Sequence, residues 1–247
     1  MEKPVLSSEE TKRYARHLVL KGFGGTAQQR LKSARVLVVG AGGLGSPALA
    51  YLAAAGVGTL GIADHDTVGL SNLQRQVVHT TAAVGTPKTQ SARAFIAAIN
   101  PNVIVETLES RLEADNVRLI TGVFDIVLDG TDNFATRAIV AEACERSKKP
   151  LVSGAVSMFD GQVTTFVPGG PRFADLYPEA PREEDLPSCE VNGVLGPVTG
   201  VIGSLMAMEA IKLITGVGEP LTGRLLLYSG HSSTFTELTY ERGAEED

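Results

Sequence analysis

Arg35-Val-Leu-Val-Val-Gly-Ala-Gly-Gly-Leu-Gly45 has the composition of a buried strand that turns through glycines into a helix of small residues. Glycine lacks a Cβ and a helix N-terminus carries partial positive charge, so backbone N–H groups in such a turn can come close to a phosphate chain. Taken alone, Gly40-x-Gly42-x-x-Gly45 fits any Rossmann-type site, and most of those hold a dinucleotide. Residues further along the chain narrow the ligand. Asp64 in Asp64-His-Asp66, about twenty residues past the glycines, suits a ribose hydroxyl under either reading. Arg75 in Ser71-Asn-Leu-Gln-Arg-Gln76, together with Lys88, suits the spread charge of a triphosphate, which NAD lacks.

Working outward from that turn, the chain reads as α/β: a Rossmann-like, mostly parallel sheet with helices on both faces and an antiparallel C-terminal extension. Strands are expected at 35–39, 58–63, 103–108, 125–128 and 151–156. Helices are expected at 44–55, from Pro87 onward, at 113–121 and at 133–147. Pro87 is a favoured first-turn residue, which puts Lys88 in the first turn of its helix. Upstream, Ser7-Ser-Glu-Glu10 is a capping-box pattern ahead of a helix at 11–20, and a second short helix is expected at 26–32. The alternation at 161–167 starts the antiparallel part, an apolar helix comes next at 198–214, and 224–228 with 234–239 closes it as a hairpin. Asp64 and Asp132 both fall at carboxyl ends of strands, where ligands collect in open α/β sheets. One domain, 1–247, is expected, with an N-terminal helical arm (1–33), a mobile surface loop (169–193) and an acidic tail (241–247).

Composition bounds the function. With 247 residues and 43% hydrophobic content the chain can build one large core with both sheet faces covered. A net charge of -6 argues against a nucleic-acid footprint, so local cations must handle phosphate. No charged segment followed by an apolar core opens the sequence, and no apolar stretch reads as long enough to span a bilayer, so a cytoplasmic protein without a membrane partner is expected. Cys144 and Cys189 form neither a disulfide framework nor a metal-binding pair by spacing, and they suit a reducing compartment.

Several motifs agree in order and spacing with one family. Arg13-Tyr-Ala-Arg-His17, Gly40 to Gly45, Asp64 to Asp66, Ser71 to Gln76, Lys88, Gly130-Thr-Asp-Asn133, Cys189, Gly200-Val-Ile-Gly203 and Met208-Glu-Ala-Ile-Lys212 together resemble the ubiquitin-activating-enzyme-like (E1-like) adenylyltransferases of bacteria, the group of MoeB, ThiF and HesA. The resemblance covers nearly the whole chain. It implies ATP-dependent adenylation of the C-terminal glycine of a ubiquitin-like sulfur-carrier protein ending in Gly-Gly, with release of pyrophosphate, ahead of thiocarboxylation. Arg75 and Lys88 would contact the phosphates, Asp132 would hold Mg2+, and Asp64 would hold the ribose. Gly40, Gly42, Gly43 and Gly45 would cradle the nucleotide, with Asn72 and Gln76 supporting the phosphate side. Arg16 matches an arginine that reaches the neighbouring subunit's phosphates in trans, which implies a homodimer. No general base is needed, because the attacking carboxylate is already ionised at neutral pH.

The remaining cysteine and histidine positions carry less. Cys189 lies in Ser188-Cys-Glu-Val-Asn-Gly-Val-Leu-Gly-Pro197, where thiamine-pathway members place a thiol that links to the carrier as an acyl persulfide, while molybdopterin-pathway members dispense with it. Both readings stand, and the first implies a persulfide protein as sulfur donor. Cys144, inside a helix, reads as a small buried residue. His17 reads as packing or interface and His65 as a hydrogen-bonded loop residue, while His79 and His231 offer no metal spacing. Many relatives hold a structural zinc with two Cys-x-x-Cys pairs; this chain has neither, and no zinc is expected. The competing readings are an NAD-dependent oxidoreductase on the same fold and a non-catalytic E1-like partner subunit. The second should lack Arg75, Lys88 or Asp132, and all three are present.

Overall fold

The computed structural model describes residues 5–114, 116–179 and 193–244. Strands β1 (Arg35–Val39), β2 (Thr59–Ala63), β3 (Ile104–Leu108), β4 (Ile126–Asp129), β5 (Leu151–Ser157), β6 (Asp160–Phe166), β7 (Arg224–Ser229) and β8 (Thr234–Thr239) form one sheet in the order β3-β2-β1-β4-β5-β6-β7-β8. β3 through β5 in that order pair parallel, and β6, β7 and β8 are added antiparallel. The chain leaves β1 toward β2 on one side and returns to β4 on the other, so the strand order reverses between β1 and β4. That reversal opens a crevice at the carboxyl ends of these two strands.

β1 shows why the parallel half forms. Its side chains alternate, with Val36 and Val38 in one hydrophobic cluster and Leu37 and Val39 in the other. Both faces are therefore covered, which is what a near-continuous apolar run means in a parallel strand. On the first face, Leu49 and Leu52 of α4 (Gly45–Ala55) are fully buried with Ile202 and Met206 of α9 (Gly196–Thr215). Each such side chain contributes roughly 1.5–3 kcal/mol of hydrophobic stabilisation. On the second face, α7 (Phe134–Arg146) supplies Val140 and Cys144. Burial pushes the Cys144 thiol up to about 12, so it is inert packing.

Several expectations are redrawn. The N-terminal helix is two pieces, α1 (Ser8–Arg13) and α2 (Ala15–Leu18). The capping box is present, with Ser7 Oγ accepting from Glu10 N–H and Glu10 Oε2 accepting from Ser7 N–H. The break falls at Tyr14, whose ring is buried against Gly56 and whose hydroxyl accepts from Asn100 Nδ2 at 2.8 Å. His17 packs as expected, with Nδ1 2.9 Å from Gln28 Oε1 and its ring against Tyr14 and Phe23. The next helix, α3, runs Gly24–Ser33. The helix expected over 113–121 shrinks to α6 (Val117–Gly122), because the Asn116 carboxamide accepts from Glu113 N–H and donates to the Arg111 carbonyl, holding a local turn instead. Part of the loop expected over 169–193 is packed structure. α8 (Phe173–Leu176) seats Phe173 against Phe134, Phe166 and Tyr177, and Arg172 holds Asp175 at about 2, well below the ordinary carboxylate value. Residues 180–192, Cys189 among them, and the end of the acidic tail lie outside the described residues.

α9 is long and apolar enough to cross a bilayer by length and composition, where the sequence reading expected no such stretch. In the fold it is the core helix, lying on α4, β5 and β6. Its buried Glu209 accepts from Thr165 Oγ1 at 3.0 Å and from Leu221 N–H at 2.7 Å, and pairs with Lys212 at 2.6 Å. That carboxylate ties the helix to the antiparallel half of the sheet.

Candidate active site

The crevice at the carboxyl ends of β1, β2 and β4 gathers most of the residues singled out in the sequence: Gly40, Gly42, Gly43, Asp64, Arg75, Gln76, Lys88 and Asp132 all line it. Gly45 begins α4 behind the turn. Gly40 has φ +88° and lies against the Gly130 carbonyl, and a Cβ on Gly45 would overlap the Gly40 carbonyl oxygen. Those two glycines are demanded by the protein itself. At Gly42, by contrast, a Cβ would meet nothing nearer than Gln76 Nε2 at 3.6 Å, so the space in front of it is open for a ligand to come close.

Each remaining side chain is set by a nearby element. Asp64, directly after β2, accepts from Ala41 N–H with Oδ2 at 2.7 Å and from Asp66 N–H with Oδ1 at 2.8 Å. Lys88 is the first residue of α5 (Lys88–Ile99), and its side chain is 8% exposed. Its Nζ lies 2.8 Å from Asp66 Oδ2, while its backbone N–H donates to the Asp66 carbonyl. Burial raises the Asp66 pKa, but the hydrogen bond and charge of Lys88 outweigh it and hold the carboxyl below its ordinary value. Arg75 Nη1 donates to the Ser71 carbonyl at 3.2 Å. Gln76 is buried, and its Oε1 has no hydrogen-bond partner among the described residues. An unpaired buried acceptor beside a phosphate-suited turn fits a site completed by a ligand or water.

Asp132 is exposed in the crevice, and its carboxylate makes no hydrogen bond or ion pair among the described residues. Among the described residues, one cluster and one lone carboxylate are candidates to hold a divalent cation. Asp64, His65 and Asp66 bring ligand atoms within 4.8 Å of one another, but the two carboxylates are already committed to backbone amides and to Lys88. Asp132 keeps both oxygens available. His65 sits half exposed with Nε2 3.5 Å from Asp66. Asn72 does not line the crevice; its Oδ1 accepts from Gly69 N–H at 3.0 Å and shapes the loop that carries Arg75. Arg16 is exposed on α2 and does not line its own chain's crevice.

The structure adds residues that the sequence reading missed. Arg111 and Arg137 line the crevice, doubling its arginine and lysine content beyond Arg75 and Lys88. Arg137 donates to the Thr131 carbonyl at 2.7 Å from the first turn of α7. A cation in the first turn opposes the helix dipole, and that was the available signal. Asp129 is fully buried beneath this loop, with Oδ1 accepting from Thr131 N–H and Oγ1, while Oδ2 has no hydrogen-bond partner among the described residues. Burial, offset only in part by Arg137, Thr131 and Ser153, raises its pKa above the ordinary value.

Residues 14–246 match the ThiF family, and the chain belongs to that family. It is 50% identical over 242 residues to the probable adenylyltransferase/sulfurtransferase MoeZ of Mycobacterium tuberculosis, covering 96% of this chain and 62% of that protein. It is 48% identical to the SAMP-activating enzyme E1 of Haloferax volcanii, covering 95% of this chain and 87% of the relative. It is 46% identical to the sulfur carrier protein adenylyltransferase of Thermus thermophilus, covering 96% and 89%. Among solved structures, E. coli MccB with MccA-N7isoASN superimposes with a TM-score of 0.84 at 22% identity over 96% of this chain and 73% of that one, a likeness in fold.

Proposed function

We propose that this ThiF-family chain is an ATP-dependent adenylyltransferase that activates the C-terminal carboxylate of a ubiquitin-like sulfur-carrier protein. The observation that carries the reading is the convergence of Arg75, Lys88, Arg111 and Arg137 with an uncommitted Asp132 on one glycine-turn crevice. Four cations exceed what a dinucleotide pyrophosphate requires and match a triphosphate whose charge redistributes on reaction. A carrier carboxylate oxygen bonds to the α-phosphorus, the bond from that phosphorus to the α–β bridging oxygen breaks, and pyrophosphate leaves. Cations fixed before the reaction stabilise the charge that develops, without reorganising at the moment of transfer. Gly42 and the N-terminus of α4 would receive phosphate, Asp64 the ribose, and Asp132 would hold Mg2+, which when bound neutralises phosphate charge.

Sequence likeness to proteins named as a sulfur carrier protein adenylyltransferase and as a probable adenylyltransferase/sulfurtransferase supports the carrier class. A cytoplasmic homodimer with Arg16 contributed in trans, a persulfide protein as sulfur donor, service to one or more of the molybdopterin, thiamine, cysteine and tRNA-thiolation pathways, and a zinc-free fold are further parts of the proposal. The deciding experiment is exchange of labelled pyrophosphate into ATP. Exchange should require a carrier ending in Gly-Gly and vanish when its last glycine is removed. Exchange without carrier, or hydride transfer from a nicotinamide cofactor, would overturn the reading.

A further inference from the structure

His79 lies outside the crevice lining and is 6% exposed, yet it touches the part of the fold that shapes the crevice. Its Nε2 is 2.9 Å from the Ala41 carbonyl oxygen, and its Nδ1 is 2.9 Å from Ser91 Oγ. A carbonyl oxygen can only accept, so Nε2 carries the proton, and in the neutral ring Nδ1 accepts from the Ser91 hydroxyl. Ala41 is the middle of Gly40-Ala-Gly42. Its N–H is already held by Asp64 Oδ2, so both polar groups of this residue are fixed by buried or half-buried side chains. Ser91 lies in α5, one turn beyond Lys88.

We propose that His79 is a positioning residue for adenylation: a neutral imidazole strut that fixes the distance between the glycine turn and the helix carrying Lys88. The inference rests on the adenylation reading above. Desolvation by burial holds the ring below its ordinary pKa, with Lys88 adding to the effect and the Ala41 hydrogen bond and Asp64 opposing it. The ring therefore stays neutral at neutral pH, as the two hydrogen bonds require. Only Ala41 and Leu44 of the turn carry side chains that pack in the core, so the Ala41 carbonyl is held by the His79 strut from behind.

The test compares His79→Leu, His79→Asn and His79→Gln in carrier-dependent pyrophosphate exchange, with melting temperature measured on each. Gln can place an N–H near the Nε2 position, whereas Asn reaches only the Nδ1 position and Leu donates nothing. His79→Leu and His79→Asn should lower kcat by about 10- to 10²-fold with the carrier KM unchanged, the cost of a small displacement of a reacting group. His79→Gln should recover most of that loss. Wild-type kcat in folded His79→Leu, or equal losses in all three folded variants, would overturn the strut. If Leu fails to fold, the contrast between Asn and Gln decides. If the wild type shows no exchange, the adenylation reading falls by itself. The strut is then judged by ATP affinity, where equal Kd for wild type and His79→Asn counts against it.

Discussion

The two walls of the crevice are built on opposite plans. The wall after β1 and β2 is wired in advance: Ala41 is held by Asp64 and His79, and Lys88 is buried against Asp66. The wall after β4 splits its two acids. Asp129 is fully buried below the loop and Asp132, three residues on, stands exposed in the crevice with no partner among the described residues. The difference teaches how one site can combine rigidity with capacity. The first wall fixes Lys88 and the Ala41 amide in place, while the second leaves the Asp132 carboxylate uncommitted among the described residues and ties Thr131 to the buried Asp129.

The contrast is sharpened most by removing the wired cation. Lys88→Ala should lower exchange by about 10²- to 10³-fold while the fold survives, since the lost group is a preorganised electrostatic stabiliser. Near-normal turnover would remove Lys88 from the site. On the other wall, Asp132→Asn should cost about 10²-fold, with the Mg2+ concentration needed for half-maximal exchange rising as well. A loss of kcat with an unchanged Mg2+ requirement would break the assignment of that carboxylate to the metal.

Smaller effects are expected where wiring is redundant. Asp66→Asn removes the charge of the half-exposed partner but leaves a carboxamide oxygen to accept from Lys88, so ATP KM should move by about threefold. A loss approaching that of Lys88→Ala would mean that Asp66 itself meets the nucleotide. The subtlest effect is on stability. Asp129 has a raised pKa in the folded protein, so it binds its proton more tightly folded than unfolded. Its contribution is full below the ordinary carboxylate value and is lost as pH rises from there through the folded value. Asp129→Asn should flatten that fall in urea unfolding measured at stepped pH. An unchanged slope would show that the buried carboxyl is not the group responsible.

The first wall was largely legible in the sequence, and on the second Asp132 was legible while Arg137 and the buried Asp129 were not. Gly40 to Gly45 could be read because a strand–glycine–helix pattern is dictated by neighbouring backbone sterics, and Lys88 because Pro87 marks a helix start. Tyr14 breaking the N-terminal helix was not legible, since its partners Gly56 and Asn100 are far away in sequence. Arg111 was missed for the same reason, since only the switch between β1 and β4 turns it toward the crevice, while Arg137 carried only the local signal of a cation in a first helical turn.

By itself the sequence determined the strand–turn–helix at Gly40, the mostly parallel order with its antiparallel end, and the family-typical positions of Arg75, Lys88 and Asp132. The first two depend on periodicity and on residue types at short spacing, and the last rests on the resemblance to the family. Only the tertiary structure decided which of two nearby acids is buried at Asp129 and which is free at Asp132, that Lys88 rests on Asp66, and that His79 is a neutral strut behind the turn. Protonation and partnership are set by desolvation and by groups brought together through long-range packing, and neither is written in the local pattern of the chain.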